Sequence, residues 1–278
     1  MRILAVDTSS KTVSVALLER DAVLLELDSR LDRPQPSTNR QTPRAGSDDV
    51  MAEGYVEQKS RRRSGASRVF APGASTLLAP MIQSLLEQTG QSIRQIDLIA
   101  LTAGPGLFTG LRVGVVTAKT LAYATNAHLI GVNTLEVIAA QTAASQEMLD
   151  SGNIHSIQVV LNAQRQQLFC GHYQSGENWN IQELEPNRIL DRGAWLKQLA
   201  AGDIVTGSGL KPMIDDVQKS GPDVKIAPQE IWDCNAASVG KLAWHQFQTG
   251  KRDDLWKLQP LYFRPSAAEE KRDAKGPV

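Results

Sequence analysis

The alternation of apolar and polar residues along the chain predicts short strands at its start. The run RILAVD, Arg2–Asp7, has the composition of a buried strand. Two more β-rich runs follow at residues 12–19 and 23–28, separated by the turn residues Arg20 and Asp21. This succession predicts a meander of three strands, with the segment after Asp7 forming its first turn.

A helical pattern begins at residue 75. In GASTLLAPMIQSLLEQTG, six apolar residues fall in adjacent pairs that repeat every four positions, which predicts one helix with a broad apolar stripe. Ser75 or Thr76 is the candidate N-cap, and Gly90 ends the helix. Periodicity favours burial of the stripe in the core, and contact with a partner is the alternative. The stripe consists of Leu77, Leu78, Met81, Ile82, Leu85 and Leu86.

The rest of the chain alternates between β-rich and helical patterns. We predict a strand at 96–103 before a glycine turn, then a helix at 109–125, a strand at LIGV and a polar helix at 134–149. A β-rich unit at IQVVLNAQRQQLFCGHY follows, then a strand at DIVTGSGL and a helix at 236–248. A meander, a helix–strand–helix unit and a second β-rich unit predict an α/β protein with two related lobes.

We place the first lobe at residues 1–109 and the second at 110–278, and we expect the C-terminal helix to pack back on the first lobe. Residues 31–70 contain three prolines, eight Lys/Arg, five Asp/Glu and few large apolar residues. Such a segment cannot bury enough surface to offset the entropy of ordering, which predicts a flexible insertion. An RNA-binding arm at KSRRRSGASR is the sharper alternative, although short basic runs are commonly just solvated.

Composition narrows the classes of function. Lys+Arg and Asp+Glu number 30 each among 278 residues, so no global basic field attracts nucleic acid or an anionic membrane. Cys170 and Cys234 are the only cysteines and lack a CxxC spacing, which favours a reduced protein. Because we find neither a signal peptide nor an apolar run of about 20 residues, we expect a soluble cytoplasmic protein without membrane contact.

Two neighbouring motifs are candidates for phosphate binding. Asp7, Thr8 and Ser9 end the first strand, where a carboxylate and two hydroxyls suit a magnesium–phosphate unit. From the triplet alone, a turn stabilised by these side chains is the favoured alternative.

The second motif is the turn Gly104, Pro105 and Gly106 in LTAGPGLFTGLRVGVVTAKTLAYAT. It can present backbone N–H groups and a helix N-terminus to an anion, although it matches neither G-x-G-x-x-G nor the Walker pattern. The alternative is a tight connection that needs unusual backbone angles. A second glycine turn, GSG at residues 207–209, is a weaker candidate for adenosine.

The sequence offers no catalytic or metal-binding constellation. His128, His155, His172 and His245 are scattered, without H-x-x-x-H or H-E-x-x-H spacing. We therefore assign no catalytic residue and no metal ligand.

Small residues recur every four positions on the predicted helix at 109–125. Gly110, Gly114, Ala118 and Ala122 give a smooth face where another helix can approach closely. Together with the stripe of the preceding helix, this face is the candidate partner interface. We assign to it Leu78, Met81, Ile82, Leu85, Gly110, Arg112, Val113, Gly114, Thr117, Ala118 and Leu121.

Three segments in this order carry a family resemblance: ILAVDTSSKTVSVALL, LTAGPGLFTGLRVGVVTAKTLAYA and LQPLYFRPSAAE. They resemble the TsaB (YeaZ) family, the non-catalytic members of the bacterial machinery that makes threonylcarbamoyladenosine in tRNA. The resemblance extends over nearly the whole chain apart from residues 31–70. It implies two RNase-H-like lobes of the actin/sugar-kinase/Hsp70-like (ASKHA) superfamily.

The resemblance also implies partners. It implies a heterodimer with the transferase TsaD, which this chain would activate, and an assembly completed by the ATPase TsaE. Contact with tRNA is then indirect, and the chain alone is implied to form a homodimer through the same helices. The resemblance implies no cofactor, apart from weak ATP or ADP binding with TsaD and TsaE at a vestigial site of Asp7, Thr8, Ser9, Gly104, Pro105 and Gly106.

Two departures separate the chain from catalytic relatives. Thr134 and Ile138 stand where TsaD-like chains carry the two metal-binding histidines, and neither can replace a nitrogen ligand. Asn162 and Gln167 in LNAQRQQ replace both carboxylates of the L-D-A-R-x-G-E pattern, and amides cannot act as general bases. The alternatives are a nucleotide-dependent phosphotransferase or TsaD-like transferase acting by itself, and a direct tRNA binder through the basic insertion.

Overall fold

The computed structural model describes residues 1–30, 73–145, 154–177 and 179–263. The predicted insertion at 31–70, with its basic run, lies outside the described residues, as does the C-terminal part of the third resemblance segment. The strands are β1 (Arg2–Asp7), β2 (Ser14–Glu19), β3 (Ala22–Asp28), β4 (Leu98–Gly104), β5 (His128–Asn133), β6 (Ser156–Asn162), β7 (Gln167–Ser175), β8 (Ile181–Asp191), β9 (Ile204–Thr206) and β10 (Lys225–Ile226). The helices are α1 (Ala74–Thr89), α2 (Phe108–Thr125), α3 (Thr134–Ala143), α4 (Arg192–Leu196), α5 (Ile214–Lys219) and α6 (Ala236–Gln248).

The first sheet has the strand order β3-β2-β1-β4-β5. Strands β1, β2 and β3 form the predicted meander and pair antiparallel, whereas β1, β4 and β5 pair parallel. Because parallel neighbours need a crossover, α2 carries the chain from β4 to β5. The first sheet therefore includes β5, which lies beyond the boundary that we predicted between residues 109 and 110.

Helices α1 and α2 cover one face of the first sheet. Leu78, Ile82 and Leu85 of α1 join Val115 of α2 in a core with the apolar side chains of that face. The N-cap of α1 is Gly73 rather than Ser75 or Thr76, because the Gly73 carbonyl already accepts the N–H of Thr76. Gly90 ends the helix as predicted, with φ of +63°.

The second sheet has the order β10-β9-β6-β7-β8 and so repeats the first. In each sheet, a three-stranded antiparallel meander is extended by parallel strands beside its first strand. The predicted α/β class with two RNase-H-like lobes is confirmed. Strand β8 escaped prediction because it forms the edge of its sheet and most of its side chains are at least partly exposed, so it lacks an apolar run.

Helices α3 and α6 pack between the sheets. Helix α6 contacts β1 and β2, α3 contacts β6 and β7, and the two helices contact each other. One apolar cluster therefore includes residues of both sheets. The prediction of a polar helix at 134–149 is wrong in character: eight of the ten residues of α3 are buried, and the helix ends at Ala143. Its buried Gln141 donates to the carbonyl oxygens of Ile231 and Asp233.

Residues 251–263, the C-terminal strap, cross back over β5 and α2. Backbone hydrogen bonds join Asp253 to Leu129 and Leu261 to Ala103. Lys119 of α2 donates to the carbonyl oxygens of Trp256 and Leu258, at 3.2 and 3.1 Å. Among the helices of the described ranges, none is long and apolar enough to span a bilayer.

Candidate functional site

The carboxyl ends of β1 and β4 bring the two predicted motifs together. These strands are parallel neighbours, so Asp7-Thr8-Ser9 and Gly104-Pro105-Gly106 leave the sheet at the same edge. The N–H of Leu107 donates to the Ser9 carbonyl oxygen at 2.7 Å and so ties the two turns to each other. All six residues of the predicted nucleotide site are therefore adjacent.

The carboxylate of Asp7 accepts hydrogen bonds from neighbouring residues of the same chain. Its Oδ1 accepts the N–H of Ser9 at 3.0 Å and the hydroxyl of Thr102 at 2.8 Å. Asp7 is 1% exposed, and burial raises its pKa above 3.8, although the bonds from Ser9 and Thr102 oppose the rise. The geometry is that of an aspartate turn, the alternative that the triplet favoured.

The glycine turn is closed against its neighbours. A Cβ on Gly106 would collide with the Ser9 carbonyl oxygen, and one on Gly104 would lie 2.8 Å from the Leu261 carbonyl oxygen. Gly104 also has φ of +127°, which disfavours any other residue. A contact too tight for one methyl group leaves no gap for a phosphate between this turn and Ser9.

The corresponding edge of the second sheet is built in the same way. Gly207 has φ of +104°, and a Cβ there would collide with the Val160 carbonyl oxygen, so the GSG turn packs directly on β6. The Asn162 Oδ1 accepts the N–H of Gln164 at 2.8 Å, and Gln167 donates to Asp191. The side chains of Asn162 and Gln167 thus hold the β6–β7 turn and its neighbour.

The small face of α2 is filled by the chain itself. A Cβ on Gly110 would collide with the backbone oxygen of Thr8, and a Cβ on Gly114 with the Thr8 hydroxyl. Ala118 is 1% exposed in the same core. The prediction that these three residues receive a partner helix is therefore wrong, because β1 and its turn occupy the face. The same correction applies to the core residues Leu78, Ile82 and Leu85.

The remaining predicted interface residues lie at the surface. Met81, Val113, Thr117 and Leu121 are half-buried, and Arg112 is exposed. Two neighbours that we did not assign are far more exposed: Val116 at 63% and Tyr123 at 70%. The apolar stripe of a helix marks its buried face, so these outward residues gave no periodic signal.

A second cluster, which the sequence did not predict, runs across the second sheet from the start of β9 through β6 and β7 to β8. Ser156 Oγ lies 2.6 Å from Asp203 Oδ1 and 2.9 Å from His172 Nε2, and His172 Nδ1 lies 3.4 Å from Glu185 Oε1. The hydrogen bond from His172 is the largest influence that lowers the pKa of Glu185. Because the Ser156 proton goes to Asp203, the imidazole is not placed to activate this hydroxyl, and we interpret the cluster as structural.

Thr134 and Ile138 lie in the core, at 1% and 0% exposure. Ile138 has no ligand atom, and Thr134 offers a single neutral hydroxyl, which has no hydrogen-bond partner among the described residues. Within the ranges that the structure describes, no group of three or more His, Cys, Asp or Glu residues is placed to hold a metal ion.

Comparison with known proteins agrees with this architecture. The fold of two five-stranded lobes is shared with the structure of YeaZ from Pseudomonas aeruginosa, which superposes with a TM-score of 0.65 at 20% identity. That alignment covers 94% of this chain and 99% of the other. The resemblance to the TsaB (YeaZ) family is confirmed by relatives that carry the name. The protein named tRNA threonylcarbamoyladenosine biosynthesis protein TsaB of Bacillus subtilis is 26% identical over 98% of this chain and 97% of its own length.

The TsaB of Escherichia coli is 27% identical over 71% of this chain and 84% of its own length. The TsaD family, described as tRNA N6-adenosine threonylcarbamoyltransferase, matches residues 70–197. The tRNA N6-adenosine threonylcarbamoyltransferase of Sphingopyxis alaskensis is 45% identical, but over only 26% of this chain and 21% of its own length. Similarity to the transferases is thus local, whereas similarity to TsaB spans the chain.

Proposed function

We propose that this chain is a non-catalytic subunit that binds and activates a TsaD-type transferase during threonylcarbamoylation of the tRNA adenosine next to the anticodon. Similarity to proteins named for threonylcarbamoyladenosine biosynthesis carries the proposal, over 98% of this chain for the Bacillus subtilis protein and 71% for the Escherichia coli protein. The closed glycine turn supports it, because a turn packed on Ser9 and Leu261 is suited to holding the fold rather than a substrate phosphate.

The outer surface of α1 and α2 is the proposed partner face. It combines the half-buried Met81, Val113, Thr117 and Leu121 with the exposed Val116. Exposed and half-buried apolar side chains on two adjacent helices form a surface that a partner helix can cover. In the absence of the transferase we expect two copies of this chain to pair through the same face. We expect TsaE to join the complex, with weak ATP or ADP binding confined to that assembly.

Co-purification with the transferase from the same organism, followed by a tRNA-modification assay with and without this chain, tests the proposal. Val116→Glu introduces a charge into the partner face, and we expect it to weaken the complex at least about tenfold while the chain stays folded. Ile154→Glu is the matched control, because Ile154 is 68% exposed but lies in the second lobe. Equal affinity of the two variants for the transferase would remove α1 and α2 from the interface.

A transferase or phosphotransferase acting by itself is the second candidate, because the TsaD family matches residues 70–197. The internal hydrogen bonds of Asp7 argue against it. Turnover of ATP or of threonylcarbamoyl-adenylate by the purified chain, with loss of the rate in Asp7→Ala, would establish this candidate in place of the first.

A further inference from the structure

Two large aromatic rings are exposed at the end of α2. Tyr123 is 70% exposed and Trp256 of the C-terminal strap 73%, and their rings meet edge to face with centroids 5.9 Å apart. The backbone of Trp256 is fixed from both sides: its N–H donates to Asp254 at 2.7 Å, and its carbonyl oxygen accepts from Lys119. The fold thus holds both rings in place without burying them. Such rings are suited to contact with another molecule.

Three cations lie close to the pair. Lys119 donates to two carbonyl oxygens of the strap, and Arg252 donates to the carbonyl oxygens of Phe247 and Lys251. Carbonyl oxygens are neutral, so these bonds orient the side chains but leave their positive charges in place. Lys257 adds a third cation one residue after Trp256.

The two carboxylates nearby are turned to the backbone. Asp253 accepts the N–H of Gly131 at 2.8 Å, and Asp254 accepts the N–H groups of Trp256 and Lys257. The hydrogen bonds from these last two residues lower the pKa of Asp254, so it stays ionised. Three cations against two carboxylates give this surface an excess of positive charge in a chain of zero net charge.

The same combination recurs at the other end of α2. The rings of Phe108 and Tyr262 stack with centroids 4.7 Å apart, and the guanidinium of Arg112 lies 3.9 Å above the Phe108 ring. Arg112 also donates to the Tyr262 hydroxyl at 3.0 Å. At 1.5 Å per residue, Phe108 and Tyr123 are separated by about 22 Å along the helix. Aromatic rings and cations therefore alternate along the seam between α2 and the strap.

A cleft of about 280 Å³ opens beside Tyr123, with His128, Asn126 and Arg252 in its wall. Pockets that enclose a small molecule measure roughly 300–1,000 Å³. The cleft is at the small end of this range and is suited to the edge of one planar group rather than to a whole cofactor.

We propose that the aromatic seam, defined by Phe108, Arg112, Lys119, Tyr123, Trp256 and Tyr262, binds an unpaired stretch of RNA. Bases stack on Tyr123 and Trp256, and phosphates lie near Arg252 and Lys257. Exposed rings interleaved with cations are typical of single-stranded nucleic-acid sites, whereas the half-buried residues of the proposed protein interface, Met81, Val113, Thr117 and Leu121, carry no charge. Val116 lies where the two surfaces meet, four residues after Arg112 and seven before Tyr123. That the RNA is tRNA rests on the proposed function, and the seam gives this chain a direct contact with the substrate.

The test measures binding of three RNAs to the full chain, alone and with the transferase: an unmodified tRNA transcript, a single-stranded oligonucleotide of its anticodon loop, and a fully paired hairpin. We expect Trp256→Ala and Tyr123→Ala each to weaken binding of the first two about 5- to 150-fold, and Trp256→Phe to keep most of the affinity. Lys257→Gln should lower the slope of log affinity against log salt by about 0.7. Both aromatic side chains are mostly exposed, so a thermal unfolding curve should match that of the unaltered protein.

Unchanged RNA affinity in the Tyr123→Ala, Trp256→Ala double variant would overturn the proposal, as would failure of the unaltered chain to bind any of the three RNAs in either state. Loss of transferase binding by the double variant, with RNA binding intact, would instead assign the seam to the protein partner. Met81→Glu separates the two proposals, because Met81 lies in the partner face on α1, which contributes no residue to the seam. It should weaken transferase binding but leave the affinity of the chain alone for RNA unchanged.

Discussion

Asp7 shows how a residue predicted to lie in a phosphate site can serve the fold. Its carboxylate is almost fully buried, and its two described hydrogen bonds come from Ser9 and Thr102 of the same edge. Burial penalises the ionised form and raises the pKa. The folded protein therefore holds the Asp7 proton more tightly than the unfolded chain does. The stability that this group contributes falls as pH rises from 3.8 to the raised folded pKa.

Asp7→Asn should remove this pH dependence and keep an oxygen that accepts from Ser9 and Thr102. We expect the difference in free energy of unfolding between the native protein and Asp7→Asn to shrink as pH rises through the interval, as measured by urea titration at several pH values. Asp7→Ala is the control: it leaves two buried donors without an acceptor and should cost about 1–3 kcal/mol. A difference independent of pH would show that Asp7 does not titrate as its burial implies.

At the level of elements, the two glycines of α2 allow this helix to approach Thr8 closely. The Cβ that Gly114 lacks would meet the Thr8 hydroxyl, which is buried without a hydrogen-bond partner among the described residues. The Cβ that Gly110 lacks would meet the Thr8 backbone oxygen instead. Substitution of Thr8 can remove the first obstacle but not the second.

Gly114→Ala should therefore destabilise the native protein by about 1–3 kcal/mol through overpacking. In a Thr8→Ala background the same substitution should become neutral or stabilise by up to about 1 kcal/mol, since alanine favours helix over glycine. Gly110→Ala should destabilise in both backgrounds and is the matched control. Urea unfolding of the four-member cycle measures the coupling. An equal cost of Gly114→Ala in both backgrounds would contradict this account of the small face.

The sequence predicted those helices and strands whose residue pattern lies within the element itself. The helix at 236–248 has the predicted bounds, and α2 begins one residue before its predicted start. Gly110 and Gly114 indicated a close approach, but nothing local identified Thr8, a residue far away in the chain, as what approaches. Helix α3 was mistaken for polar because Thr134, Gln141 and Thr142 are buried there. Gln141 and Thr142 bond to residues of distant segments, Ile231, Asp233 and Thr206, which local composition does not report.

The candidate site likewise has some features that the sequence predicted and others that depend on residues distant in the chain. The adjacency of Asp7-Thr8-Ser9 and Gly104-Pro105-Gly106 followed from two parallel strands that end at one edge. Closure of the glycine turn did not, because it depends on Leu261 of the strap and on the carbonyl direction of Ser9. The sequence did not identify exposed residues such as Tyr123 and Trp256 as site residues, because surface positions show no hydrophobic periodicity.

At the scale of the whole molecule, the two lobes share a core. Helix α6 is encoded in the second half of the chain but packs on β1 and β2, and Glu26 and Ser14 of the first sheet accept N–H groups at its N-terminus. Leu18 of β2 and Trp195 of α4 consequently belong to one apolar cluster. A core that continues through both lobes should unfold as one unit rather than lobe by lobe.

Leu18→Ala tests this cooperativity, because its effect can be detected in the other lobe. Trp195 and Trp232 are buried in the second lobe, so their fluorescence reports its unfolding once Trp244 of α6 and Trp256 of the strap are replaced by Phe. We expect the substitution, at a fully buried position of the first sheet, to cost about 2–5 kcal/mol and to move the tryptophan transition to lower urea by the corresponding amount. Leu24→Ala, on the exposed edge strand β3, should change the free energy of unfolding by less than about 0.5 kcal/mol. A tryptophan transition that Leu18→Ala leaves in place would mean that the second lobe folds on its own, and α6 would then be a docked helix rather than the centre of a common core.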